Sequence, residues 1–226
     1  MITFNVAEKF ISLNGEGKHA GERAAFIRLA GCNLNCSYCD TRWANDGSEF
    51  SVESIDDIVA FVTASGVGRV TLTGGEPMLK ENVFELIVRL IETCHKVEVE
   101  TNGAVDLGPF YEMAGGLHLR EELEFTVDYK CPSSGMEEHM VMTNFELIRE
   151  WDTVKFVVGS HEDLEKAEQV IRKYDLDLNC SVFLSPVFGN IKPVEIADFI
   201  IEKKLNGVRL QLQQHKIIWP PEMRGV

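Results

Sequence analysis

Nowhere in the 226 residues does an apolar run approach the ~18 that a membrane helix needs, so no membrane partner is expected. Residues 1–9 carry no basic region followed by an apolar run. Nothing there reads as an export signal, and the expected location is the cytoplasm, where thiols stay reduced. A basic surplus is missing too: 22 Lys and Arg face 36 Asp and Glu, for a net charge of −14. Broad phosphate-backbone binding needs a basic face, so no nucleic-acid partner is expected, whereas a small anion held by a few local cations is compatible. No Pro/Gly/Ser-rich linker divides the chain, which predicts a single domain over residues 1–226. With 45% hydrophobic and 26% charged residues, the composition excludes a disordered or collagen-like chain. A domain of this size buries roughly 70% of its unfolded surface and needs no disulfide staples.

From residue 23 onward, short β-rich runs alternate with amphipathic helical runs. Strands are predicted over 23–29, 70–73, 97–101, 123–129, 154–158, 181–184 and 208–213. Helices are predicted over 54–65, 82–94, 144–150, 161–173 and 193–204, with Ser160 as an N-cap. Residues 106–122 are poorly periodic and read as a long loop with at most one short helix. Strands separated by helices imply βαβ units on a parallel sheet. A complete eight-unit barrel typically takes ~250 residues. About six units are present, so the expected fold class is α/β, a partial (βα)6 barrel. Such sheets place ligand sites at the C-terminal strand ends.

After the first of these strands comes Gly31-Cys32-Asn33-Leu34-Asn35-Cys36-Ser37-Tyr38-Cys39-Asp40-Thr41, with C-x3-C-x2-C spacing. Three of the chain's six cysteines thus fall on one loop. One reading is a zinc site completed by a distant ligand such as His19, Cys131 or His215. The other is a cubane iron–sulfur cluster with one iron left open to a cofactor or substrate. The remaining thiols, Cys94, Cys131 and Cys180, are expected to be buried, with Cys131 nearest the functional rim.

The cysteine loop, with an aromatic residue just before its third cysteine, resembles the radical S-adenosylmethionine superfamily. So does Thr73-Gly74-Gly75-Glu76-Pro77 at the end of the second strand. The resemblance implies a [4Fe–4S] cluster held by Cys32, Cys36 and Cys39, its open iron chelated by the methionine moiety of S-adenosylmethionine. Within that superfamily, Asn14-Gly15-Glu16-Gly17 ahead of the first strand is similar to a segment of the 7-carboxy-7-deazaguanine synthases, which commonly have glutamine at the Asn14 position. Arg28, Asp40-Thr41, Glu100-Thr101-Asn102-Gly103, Lys130-Cys131-Pro132-Ser133-Ser134 and the segment from Arg209 to Lys216 match as well.

That family resemblance implies conversion of 6-carboxy-5,6,7,8-tetrahydropterin to 7-carboxy-7-deazaguanine with loss of ammonia, on the route to queuosine and other 7-deazapurines. A 5′-deoxyadenosyl radical takes hydrogen from C6 of the pterin, and S-adenosylmethionine is regenerated. Mg2+ is implied, with Thr41 as its protein ligand, as are a flavodoxin or ferredoxin electron donor and a homodimer. Tyr38, Asp40, Gly75, Lys130, Ser133 and Gln213 are implied cofactor contacts. Tyr38 has packing, and Ser133 a turn cap, as the plainer reading. Leu13, Asn14, Gly15, Glu16, Arg28, Thr73 and His215 are implied substrate contacts. Arg28 is the expected bidentate clamp on the pterin carboxylate. A glycyl-radical activating enzyme would share the cysteine loop and partial barrel but not need residues 14–17 or 213–215 in this form. A zinc-stabilised binding module would need neither.

Overall fold

The computed structural model describes residues 1–45, 49–93, 95–119 and 121–226. Nine strands form one sheet: β1 (Thr3–Leu13), β2 (Arg23–Leu29), β3 (Ser51–Ser54), β4 (Arg69–Gly74), β5 (Lys96–Thr101), β6 (Leu123–Tyr129), β7 (Thr153–Val158), β8 (Ser181–Pro186) and β9 (Val208–Leu210). Their spatial order is β3-β1-β2-β4-β5-β6-β7-β8-β9. From β2 through β9 every neighbouring pair is parallel, so seven parallel strands are linked by six crossovers. The sheet does not close on itself, in agreement with the expected partial barrel.

The crossovers carry the helices α1 (Arg42–Asn45), α2 (Ile55–Ser65), α3 (Val83–Glu92), α4 (Gly108–Gly116), α5 (Asn144–Leu147), α6 (His161–Lys173), α7 (Leu176–Asn179) and α8 (Pro193–Glu202); α9 (His215–Ile218) follows β9. Ser54 caps α2 by accepting from the Asp57 N–H, and the Asp57 carboxylate accepts from the Ser54 N–H in return. Ser160 caps α6 in the expected way.

Several sequence expectations are corrected. β1 and β3 were not anticipated; they form an antiparallel flank on β2. A register shift between Val6 and Glu8 breaks the alternation of β1, which hides it from a period-two reading. The helix expected over 144–150 stops at Leu147, and the last strand ends at Leu210 rather than 213. The one helix allowed for residues 106–122 is present as α4. The helix expected over 82–94 ends at Glu92, and Cys94 lies outside the described residues.

The strands sort their side chains by face. Val70, Leu72, Val97, Val99, Phe125, Val127, Val154 and Phe156 belong to the apolar core beneath the helices. The alternate positions, Thr73, Glu100, Thr126, Asp128 and Lys155, line a cavity on the concave side. Fully covered parallel strands are ordinarily apolar on both faces, so this polar inner face marks a site.

Gly74 holds β2 and β4 together at their C-terminal ends. A β-carbon there would overlap the Leu29 carbonyl, and its φ of +148° is open to glycine alone. Gly74→Ala is expected to lower stability by about 3 kcal/mol or more. Gly68→Ala, where a β-carbon meets nothing within 4 Å, is expected to change it by less than about 1 kcal/mol. Thermal denaturation of the two variants side by side checks the contrast.

Candidate active site

A cavity of about 940 Å3 opens where the parallel strands end. Its walls include Cys32, Cys36 and Cys39 together with Leu13, Asn14, Gly15, Glu16, Arg28, Tyr38, Asp40, Thr41, Thr73, Gly75, Lys130, Gln213 and His215. Of the residues expected to hold the cluster or ion or to contact cofactor or substrate, Ser133 alone is absent from these walls. Its hydroxyl donates to Asp163, its N–H donates to Asp163 Oδ1 at 2.9 Å, and its carbonyl accepts from Ser37 Oγ at 2.7 Å.

The cysteine loop is fixed from several sides. Arg42 donates to the Cys36 and Ser37 carbonyls at 3.0 and 2.8 Å. Three N–H groups face cysteine sulfurs: Leu34 N and Asn102 Nδ2 at Cys32, 3.4 and 3.5 Å away, and Asn45 Nδ2 at Cys39, 3.6 Å away. The Gly74-Gly75-Glu76 turn braces the loop's base, with Gly75 N and Glu76 N donating to Leu29 O and Gly31 O, both at 2.9 Å. The buried Glu76 carboxylate accepts from Met78 N, Thr101 Oγ1 and Asn102 N at 3.0, 2.9 and 2.7 Å. Burial raises its pKa against those three donors.

On the opposite wall, the segment joining β1 to β2 folds back over the N-terminal end of the sheet. His19 Nε2 meets Glu124 at 2.7 Å at the start of β6, and Arg69 at the start of β4 meets Glu22 at 3.1 Å. Glu16 Oε2 accepts from Lys155 Nζ and Gln211 Nε2, each at 2.9 Å, and Oε1 accepts from Gln213 Nε2 at 2.6 Å. Burial works against this carboxylate, yet Lys155 and Gln213 bring it down to a pKa of about 2. Burial likewise opposes the Lys155 charge, which Glu16, Asp128 and Glu100 hold well above the usual lysine range. His215 packs on Gly15, where a β-carbon would strike the imidazole. Burial pushes that imidazole below its ordinary pKa despite Glu16, so it is neutral at pH 7.

Arg28 Nε donates to Glu8 Oε1 at 2.8 Å. Among the described residues its two terminal nitrogens have no protein hydrogen-bond partner, so the outer edge of the fork remains available. Thr73 Oγ1 donates to Glu100 Oε2 at 2.7 Å. Lys130 pairs with Asp128 at 2.8 Å, and Asp40 with Lys216 at 3.1 Å. Lys155, Asp128, Glu100 and Gln211 were missed as site residues. For the first three the signal was present in β5 to β7, where VEVET, LEFTVDY and TVKFVV alternate polar with apolar in strands that should be apolar throughout; Gln211, just beyond β9, had no such signal. Outside the cavity, Cys131 is fully buried, and burial pushes the half-buried Cys180 thiol up to about 12.

Residues 26–127 match the family model of the radical SAM superfamily. The chain is 45% identical to the 7-carboxy-7-deazaguanine synthase of Clostridium acetobutylicum, with all of both chains covered. It is 36% identical to that of Chlorobaculum tepidum, over 98% of this chain and 97% of the relative. The crystal structure of QueE from Escherichia coli superposes with a TM-score of 0.72 at 23% identity, covering 95% of this chain and 96% of that one. The cysteine loop on an open parallel barrel defines a radical S-adenosylmethionine domain. With full-length identity at this level, the chain belongs to the 7-carboxy-7-deazaguanine synthase family.

Membership implies a [4Fe–4S] cluster and S-adenosylmethionine, and the residues fit them. Cys32, Cys36 and Cys39 are unpaired thiols on one loop, share one cavity wall, and two of them already receive N–H donors suited to thiolate sulfur. Among the described residues no three His, Cys, Asp or Glu side chains are grouped to hold a single metal ion, as the zinc reading would require. A cubane spreads its thiolates over different irons and needs no such convergence. Among the described residues, no helix is long and apolar enough to cross a membrane.

The Glu16–Lys155 pair makes a stability prediction. Lys155→Met leaves a buried carboxylate without its cation and is expected to cost about 3 kcal/mol at pH 7. Glu16 has a depressed folded pKa, so its contribution is present above the ordinary 4.5 and disappears as pH falls through about 2. The unfolded state cancels in the comparison, so the gap between wild type and variant should shrink as pH is lowered and be smallest near 2, in urea titrations of the cluster-free chain.

Proposed function

We propose that this chain converts 6-carboxy-5,6,7,8-tetrahydropterin to 7-carboxy-7-deazaguanine with loss of ammonia. The observation that carries this reading is a single cavity with the cysteine loop on one wall and Arg28, Thr73 and residues 13–16 on the other. Its volume of about 940 Å3 lies at the upper end of the usual range for ligand pockets, roomy enough for a cofactor beside a bicyclic substrate. When bound, the cluster and S-adenosylmethionine supply the radical that takes hydrogen from C6 of the pterin.

The chain's own part is positioning. Arg28 is held by Glu8 on one edge and presents the other to the substrate carboxylate. Glu16 stays ionised, and three of its roughly four acceptor positions are taken by Lys155, Gln211 and Gln213. The remaining position on Oε1 accepts from the guanidine-like edge of the pterin. Leu13, Asn14 and Gly15 line the same edge, Thr73 offers its hydroxyl lone pairs, and neutral His215 closes the wall behind Gly15. Tyr38, Asp40, Gly75, Lys130 and Gln213 border S-adenosylmethionine. Ser133 acts behind the wall by holding Asp163.

Magnesium, a flavodoxin or ferredoxin donor and a homodimer enter the reading through the family resemblance. Thr41 Oγ1, 3.0 Å from Asp40 Oδ1, is the protein ligand for the ion. One neutral hydroxyl binds magnesium weakly, so substrate oxygens and waters complete its six ligands. Calorimetric titration is expected to show poor magnesium affinity without pterin and improved affinity with it; equal affinity in both states would count against a shared site.

The substrate assignment is tested at Arg28. Arg28→Lys is expected to weaken pterin binding by about 30- to 4000-fold, from the roughly 2–5 kcal/mol lost with a desolvated charge-assisted pair. Cluster assembly should be unchanged. A decarboxylated pterin should bind wild type poorly and lose little more in the variant. If wild type binds both pterins equally, the carboxylate clamp is wrong.

A further inference from the structure

We propose that the Asn102 side-chain amide donates a hydrogen bond to the Cys32 sulfur and thereby raises the reduction potential of the cluster. This rests on the reading of Cys32 as a cluster ligand. Asn102 is 6% exposed and sits immediately after β5. Its Oδ1 accepts from Ala104 N at 2.9 Å, which fixes the orientation of the amide. Nδ2 is therefore the atom that faces Cys32 Sγ, at 3.5 Å, and it also donates to Asn33 Oδ1 at 2.8 Å. The backbone beneath it is pinned as well, because Asn102 N donates to the fully buried Glu76 carboxylate at 2.7 Å. The Gly-Gly-Glu-Pro turn, the end of β5 and the first cysteine are joined in one hydrogen-bonded chain.

Reduction places one electron, delivered by dithionite or a small redox protein, on the cluster and its thiolates. An N–H aimed at a ligand sulfur stabilises the more negative state more than the less negative one, so the couple moves upward. Among the described residues Cys32 receives two such donors, Leu34 N and Asn102 Nδ2, and of these the second is the side chain that substitution can remove. Asn102 is thus a tuning residue that acts through Cys32.

Asn102→Ser keeps a side-chain acceptor for the Ala104 N–H but is too short to reach the sulfur. Wild type and variant are reconstituted anaerobically, assayed for iron and sulfide, and titrated by EPR without S-adenosylmethionine. At a fixed solution potential the reduced-to-oxidised ratio is expected to fall about tenfold in the variant, equivalent to about 59 mV for a one-electron couple. An unchanged potential at full iron content overturns the proposal, since a purely structural role would move stability or cluster content alone. If the variant does not retain its cluster, an Asn45→Ala protein carrying 15N-labelled asparagine decides, because Asn45 is the other side-chain amide at a cysteine sulfur. A hyperfine coupling from a side-chain amide nitrogen to the reduced cluster supports the contact, and its absence overturns it. Failure of the parent reading looks different, because wild type itself would then bind no cluster.

Discussion

The barrel is open, and one carboxylate bridges the gap. Glu16 belongs to the segment between the first two strands, yet its three donors come from β7 and from the chain beyond β9. Gly17 N donates to Gln211 Oε1 at 2.6 Å, and Gln214 N donates to Gly15 O at 3.0 Å. The early and late parts of the chain are therefore sewn together along the side where sheet pairing stops. A strand pair there would have closed the barrel and filled it. A salt bridge with two amides closes it while leaving the interior to a ligand, and the buried ion pair is specific in geometry because each partner depends on the other.

The same trade runs through the inner face. Glu98, Glu100, Glu124, Thr126, Asp128 and Lys155 alternate with core residues on three neighbouring strands. Burial and the adjacent Glu100 push Glu98 up to about 7, against the hydrogen bond that Thr126 Oγ1 donates to it at 2.6 Å. Among the described residues, Asn14 Nδ2 and Asp128 Oδ1, both on cavity-lining residues, are buried atoms without a hydrogen-bond partner. Such groups are costly in an empty core. They are affordable where a ligand with its own donors and acceptors occupies the space between them.

Most of the parallel strands were legible because they are short β-rich runs followed closely by Gly, Asn or Pro; β9, which runs on into Gln211-Leu212-Gln213 without such a stop, was placed less well. The cysteine loop was legible because its spacing has few other uses. β1 was not, since its bulge at Val6/Glu8 resets the alternation, and its partners β2 and β3 come later in the chain. Long-range polar partners were illegible for a related reason. Lys155 lies 139 residues from Glu16, and no local pattern announces that pairing. Ser133 shows the converse: a motif match places it near the cofactor, while Asp163, 30 residues on, claims both its hydroxyl and its N–H.

A chain with a net charge of −14 that takes a carboxylate substrate cannot rely on long-range attraction. Local charge does not repair this, because every Lys and Arg in the cavity wall is already paired with a carboxylate: Arg28 with Glu8, Lys130 with Asp128, Lys155 with Glu16, Lys216 with Asp40 and Arg224 with Glu49. The cavity is close to neutral rather than a positive funnel. Recognition then falls to direction instead of field strength. Arginine is suited to that, since its planar fork can satisfy a structural carboxylate through Nε and still present two parallel N–H groups to another, whereas a lysine head is a point charge with no second edge. Of the two arginines described in the wall, Arg224 meets Glu49 through a terminal nitrogen, whereas Arg28 is held through Nε at Glu8 and keeps its outer edge open.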